Sequence, residues 1–225
     1  MFADVSGKDF KIPENFPKNL KGHDMNESKI ALVTGGNKGI GYEICRQLMR
    51  RGCHVLLGAR NRSEGEAAVA ALTKEEKGDI GFITIDLNDP RTFSIAQADI
   101  SGRFGKLDIL VNNAGIPRRH KPEEFPREDW DAVINVNMNA VWFLSQLAGQ
   151  IMLKQGYGKI INMASMNCYF GGTTVPPYTA AKHAVAGLTK ALSNDWAGRG
   201  ICVNAIAPGY FRTELNSPEK MLLIG

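Results

Sequence analysis

Tyr178 and Lys182 stand four residues apart at the end of KIINMASMNCYFGGTTVPPYTAAK, residues 159–182. A helix beginning near Pro177 sets both side chains on one face, one turn apart. A phenol with an ordinary pKa of about 10 is a weak base at neutral pH, but an ammonium one turn away stabilises the phenolate and brings proton transfer into range. Ser165, thirteen residues before Tyr178, closes an apolar run of strand length and can return to the same point to hydrogen-bond a substrate oxygen. A proton donor, a cation and an orienting hydroxyl together suit chemistry at a carbonyl or an alcohol. A YxxxK pair alone reads equally well as a helix-surface pair, so its meaning depends on the elements that place it.

Those elements alternate. From Lys29, IALVTGG reads as a buried strand. NKGIGYEICRQLMRRG reads as a helix with an apolar stripe of Ile40, Ile44, Leu48 and Met49. HVLLGAR, GFITIDL, LDILVNNAG, GKIINMAS and GICVNAIAPG read as further strands. Between them lie helical segments, of which Arg127–Gln155 and Pro177–Gly198 are the long ones. Strands apolar on both faces, alternating with helices, predict an α/β fold: a Rossmann-type doubly wound parallel sheet of strand order 3-2-1-4-5-6, with a serine, a tyrosine and a lysine at its carboxyl edge. One domain is expected over residues 29–225, preceded by a partly irregular extension, 1–28.

The first strand-to-helix turn points to a cofactor. Gly35, Gly39 and Gly41 allow a tight turn and a close backbone approach to a pyrophosphate at the positive helix end. At the end of strand two, where an NAD site usually carries an acid for the ribose hydroxyls, this chain has Ala59 and then Arg60. A guanidinium suits a 2′-phosphate, and Lys38 adds a second cation, so NADP(H) is the expected cofactor with NAD(H) as the alternative.

Composition narrows the field further. The chain has 225 residues, 44% hydrophobic, and a formal charge of +4 without a basic block, which argues against nucleic-acid binding. No apolar stretch is long enough to span a membrane and no secretory leader is read, so the expected location is cytoplasmic. The four cysteines lack metal or redox-motif spacing and read as reduced core thiols. No metal site is expected. Trp130, Trp142 and Trp196 read as core or subunit packing, and His54, His120 and His183 as helix, strand or loop residues without a catalytic role.

With these residues on the page, 30–213 resembles the short-chain dehydrogenase/reductase family. TGGNKGIG (Thr34–Gly41, including Asn37, Lys38 and Ile40) resembles its glycine motif, Asp86 with Leu87 its adenine-side segment, and NNAG (Asn112 to Gly115, with Asn113 and Ala114) its strand-four motif. PGYFRT, with Pro208, Gly209, Phe211 and Thr213, resembles the segment that holds the nicotinamide carboxamide. The resemblance implies a catalytic tetrad of Asn137, Ser165, Tyr178 and Lys182, with Lys182 also reaching the nicotinamide ribose and Asn137 holding a water. That water requires a locally opened helix, with which the alternation Asn135, Asn137, Asn139 is compatible. Within the family, NNAGIPRR, DWDAVINVN and INMASM are most similar to 2-deoxy-D-gluconate 3-dehydrogenases and related uronate ketoreductases, which implies a keto sugar acid or another small carbonyl compound.

Arg118 and Arg119, just beyond NNAG, are candidates for a substrate carboxylate, with a solvated loop or an oligomer salt bridge as the alternative. The resemblance also implies a homodimer through the two long helices. After Thr213 only ELNSPEKMLLIG remains, whereas family members continue through a substrate-covering segment, a further helix and a seventh strand. An enzyme short of that strand is therefore one expectation, and a weakly active or inactive cofactor-binding protein is the other.

Overall fold

A computed structural model describes residues 28–209. Six parallel strands, β1 (Ile30–Thr34), β2 (His54–Ala59), β3 (Ile80–Thr84), β4 (Ile109–Asn112), β5 (Gly158–Met163) and β6 (Ile201–Ile206), lie in the order β3-β2-β1-β4-β5-β6. The expected sheet is therefore the one observed. The expectations for residues 1–27, Phe211, Thr213 and the C-terminal segment lie outside the described residues.

Alternate residues of each strand enter different cores, which is why the strands read as unbroken apolar runs. Leu32, Leu56, Leu110 and Ile160 point to one face and pack with α3 (Arg91–Phe104) and α5 (Ala140–Gln155) through Phe93, Ile100, Leu144 and Met152. Val33, Val55, Leu57 and Val111 point to the other and pack with α1 (Gly39–Arg50) and α2 (Arg62–Glu75) through Cys45, Met49, Ala68 and Leu72.

The buried line of α1 is Gly41, Cys45 and Met49, while Ile40, Ile44 and Leu48 are half-buried beside it. Small residues face the sheet because the helix begins tight against the glycine turn, where a Cβ on Gly36 would sit 2.9 Å from Cys45 Sγ. The bulkier side chains are displaced to the flanks. Three cysteines are buried as expected, but Cys202 is exposed on β6, where it accepts from the Lys159 ammonium at 2.9 Å. It lies on the outward side of the terminal strand among the described residues. Trp142 and Trp196 pack against the larger core, whereas Trp130 remains 39% exposed.

The long helix expected over Arg127–Gln155 is divided. The segment α4 (Arg127–Ile134) passes through a π turn, Asn135–Asn139, into α5. The Asn137 side chain donates from Nδ2 to the carbonyl of Val133, four residues back, and so replaces backbone with side chain in the helix ladder. Asn139 donates to Asn135 Oδ1 at 2.8 Å on the outer surface while Asn137 is fully buried, so the three asparagines divide between opposite sides. The remaining helix, α6 (Pro176–Trp196), opens with proline at its first positions, where a missing N–H costs nothing.

Candidate active site

Asn137 and Lys182 meet at Gly115, with the Tyr178 ring beside the Lys182 ammonium and Ser165 two residues beyond its carbonyl partner. β5 ends at Met163, and Ser165 follows as the cap of a short 3-10 turn, its Oγ accepting from Asn167 N at 3.2 Å. Lys182 lies within α6, 3% exposed, and donates to the carbonyl of Met163 at 2.6 Å, two residues before Ser165. Its ammonium lies 5.4 Å from the centroid of the Tyr178 ring. Burial holds Lys182 down to about 8, well below an ordinary lysine, so the group is poised to exchange a proton near neutral pH.

Gly115 makes the convergence possible. A Cβ there would fall 2.6 Å from Asn137 Oδ1 and 3.8 Å from Lys182 Nζ. The Asn137 side chain makes three hydrogen bonds: Oδ1 accepts from Ile116 N at 3.2 Å, and Nδ2 donates to Ile116 O at 2.8 Å and to Val133 O at 2.9 Å. Its side chain therefore anchors the loop after β4.

The glycine turn lies at the same carboxyl edge. Gly35 and Gly39 have φ of +64° and +57°, which L side chains rarely adopt, and a Cβ on Gly41 would run into the Gly35 carbonyl. Helix α1 has no side-chain cap and no acid in its first turn, in contrast to α2, which has Asn61 as cap and Glu64 in its first turn. The first N–H groups of α1 thus receive no cap from the N-cap side chain, and the positive end of the helix faces no acid of its own first turn. Gly36 N donates to Gly58 O at 3.2 Å, which brings the turn beside the end of β2, where Ala59 is buried and Arg60 exposed. Lys38 is exposed at the N-terminus of α1, and Asn37 donates to Glu64 Oε2 at 3.0 Å. Ile85 N donates to Ala59 O, carrying the pairing up to Asp86 and Leu87. The Asp86 carboxylate accepts from Asn88 N at 3.0 Å.

Asn113 holds this edge together: its Nδ2 donates to Thr34 O at 2.9 Å and Gly35 O at 3.3 Å, while its own N–H and that of Ala114 donate to Thr34 Oγ1. On the far side, Met166 N donates to Pro208 O at 3.2 Å, setting Pro208 and Gly209 beside the Ser165 turn. His183 is exposed, its Nδ1 3.0 Å from the Thr179 carbonyl, and away from this convergence.

Residues 29–221 match the family model for short chain dehydrogenases. The chain belongs to the short chain dehydrogenase family. The 2-dehydro-3-deoxy-D-gluconate 5-dehydrogenase of Bacillus subtilis is 46% identical over 86% of this chain and 75% of its own length. For the gluconate 5-dehydrogenase of Gluconobacter oxydans the figures are 40%, 82% and 72%. Among solved structures, a gluconate 5-dehydrogenase of Burkholderia cenocepacia in complex with NADP and tartrate superposes with a TM-score of 0.80 at 37% identity, covering 85% of this chain and 74% of that one. As a short chain dehydrogenase the chain is an NAD(P)-dependent oxidoreductase of small carbonyl and alcohol substrates.

Some of what shapes this dehydrogenase's site was not read from sequence. Asn112 Nδ2 donates to Ser145 Oγ at 3.1 Å and Asn162 Oδ1 at 2.9 Å, and Asn162 Nδ2 donates to Thr189 Oγ1 at 3.0 Å, all beneath the site. Polar residues within otherwise apolar strands were the available signal. Arg118 donates from Nε to Asp129 Oδ1 at 3.0 Å, and His120 Nε2 lies 2.7 Å from Asp129 Oδ2. Arg119 is exposed. No helix among the described residues is long and apolar enough to cross a membrane.

Proposed function

We propose that the chain interconverts a secondary alcohol and a ketone on a sugar acid with NADP(H) as the preferred cofactor, Tyr178 exchanging the proton. The observation that carries this reading is the Lys182 ammonium: it is buried beside the Tyr178 ring and tied to the Met163 carbonyl just before Ser165. In reduction Tyr178 gives its hydroxyl proton to the carbonyl oxygen, Ser165 orients that oxygen and shares its charge, and Lys182 stabilises the resulting phenolate. In oxidation the proton returns to Tyr178. When bound, the nicotinamide supplies or accepts the hydride.

The residues fit a phosphorylated dinucleotide. The uncapped α1 terminus, with no room for a side chain at Gly41, suits the pyrophosphate. Arg60 and Lys38 suit the 2′-phosphate, where Ala59 presents no carboxylate to repel it. Asn113 supports the turn from beneath, and Asp86 and Leu87 border the adenine side. Gly115, Lys182, Pro208 and Gly209 border the nicotinamide side. A relative holding NADP together with tartrate, a hydroxy acid, favours the same cofactor and an acidic substrate here. Trp130 and Phe143, 39% and 41% exposed on α4 and α5, support pairing with a second copy along these helices and α6. We place the protein in the cytoplasm, consistent with four free cysteines.

The test is steady-state reduction of 5-keto-D-gluconate with NADPH and NADH. Turnover favouring NADPH and lost in Tyr178→Phe is expected. Turnover retained in that variant, or a preference for NADH, overturns the corresponding part.

A further inference from the structure

After β4 the chain crosses the mouth of the site as a short bridge fixed at both ends. At one end Ile116 exchanges two hydrogen bonds with the Asn137 amide. At the other, His120 N donates at 3.0 Å to the carbonyl of Thr174, four residues before Tyr178. Thr174 has φ +62°, the positive φ of a non-glycine residue among those described, so this anchor is held against backbone strain. Between the anchors, Arg118 and His120 grip opposite oxygens of the Asp129 carboxylate on α4. The imidazole also stands edge-on to Phe125, ring centroids 4.9 Å apart. Hydrogen bonds from His120 and Arg118, in that order, hold the Asp129 carboxyl below the usual range.

Arg118 and His120 both reach the Asp129 carboxylate, and Arg119, the residue between them, has no part in that pairing. Arg118 is thus balanced by Asp129, while Arg119 is exposed. Arg119 is three residues beyond Ile116, so its backbone lies within roughly 10 Å, at about 3.5 Å per residue, of the residue that pairs with Asn137.

We propose that Arg119 selects the substrate by pairing with its carboxylate, and that Asp129 is the positioning residue that aims Arg119 by holding its neighbours Arg118 and His120. The inference rests on the sugar-acid reading above. Of the two arginines after NNAG, it assigns recognition to the second and architecture to the first. A guanidinium offers parallel donors to a carboxylate, so the selection acts on binding and leaves the proton transfer at Tyr178 untouched.

The experiment compares 5-keto-D-gluconate with its uncharged counterpart 5-keto-D-fructose, using NADPH. In Arg119→Ala the KM for the acid should rise roughly tenfold or more, with kcat, the KM for the neutral ketone and the NADPH Kd little changed. Arg119→Lys should recover part of the loss, and Arg118→Ala should cost less than Arg119→Ala. If Asp129 acts through Arg119, the cost of Arg119→Ala should shrink in an Asp129→Asn background.

Equal KM values for acid and neutral ketone in the parent would overturn the sugar-acid reading and this inference together. A parent that favours the acid, with that preference kept in Arg119→Ala, would overturn the inference alone. Additive effects of the Arg119 and Asp129 changes would remove Asp129's positioning role. Calorimetric binding of D-gluconate to the NADPH-loaded protein provides a readout without turnover: weakened binding in Arg119→Ala supports the proposal, and unchanged binding refutes it.

Discussion

Replacing Lys182 by methionine should abolish turnover and, in the same protein, change how stability depends on pH. Burial brings the Lys182 amine down to about 8 from an ordinary 10.5. That gap corresponds to roughly 3 kcal/mol of folding free energy forgone while the folded chain, without cofactor, carries this ammonium. The folded pKa lies below the unfolded one. Below about 8 both states are protonated and the cost is complete; from about 8 to 10.5 the unfolded chain binds more protons, so the cost is relieved as pH rises. Methionine has no such group. Its stability relative to the parent should therefore fall by roughly 2–3 kcal/mol between pH 7 and pH 10.

The lost hydrogen bond to Met163 O and the altered packing add an offset, but it does not depend on pH, because a neutral amine donates as well. Urea unfolding of parent and variant without cofactor at the two pH values measures the difference directly. Groups common to both proteins cancel. A variant-minus-parent difference that is equal at both pH values, or that grows with pH, would refute the assignment of a desolvated ammonium.

Arg60→Asp should reverse the order of NADPH and NADH affinities, with the NADPH Kd rising roughly tenfold or more; fluorescence titration of both cofactors checks it. Tyr178→Phe should lose turnover by at least about a hundredfold while keeping the NADPH Kd within roughly threefold, because the phenol supplies the proton and leaves the cofactor cleft intact. Gly115→Ala should lower kcat and stability together, by about 1–3 kcal/mol for stability, since its Cβ would strike Asn137 Oδ1; unchanged thermal unfolding would show that the loop yields freely. Gly41→Ala should abolish cofactor binding, because a methyl there meets the Gly35 carbonyl; equilibrium dialysis with NADPH decides it.

The sheet and its carboxyl-edge chemistry were legible because their signals are local. Apolar runs of strand length, glycines at the first turn and the four-residue step from Tyr178 to Lys182 each depend on neighbours in sequence. The π turn was half legible: Asn135, Asn137 and Asn139 conflict with a regular helix, but nothing local says that Asn137 turns inward to bind Ile116. Asp129 was invisible as a partner of Arg118 and His120, because a charged residue in the first turn of a helix reads as a dipole-complementing acid whether or not a loop reaches back to it. The α1 stripe was displaced because periodicity finds the widest apolar face, whereas close approach of the backbone selects the smallest one.

The amide and hydroxyl chain beneath the site bears on strand alignment. Parallel strands apolar on both faces resist a slip of two residues only weakly, since each side chain returns to the face it left. Asn112 opposite Asn162 removes that freedom: a slipped β4–β5 pair would set each amide against an apolar neighbour and strand buried donors at about 1–3 kcal/mol apiece. A slip of two residues is roughly 6.6 Å along the strand. It would carry Ser165 about that far from Gly115 and the Lys182 ammonium while leaving the hydrophobic core nearly as well filled. The asparagine pair therefore works as a registration mark, making the alignment that assembles the site the one in which the Asn112 amide donates to Asn162 and the Asn162 amide to Thr189.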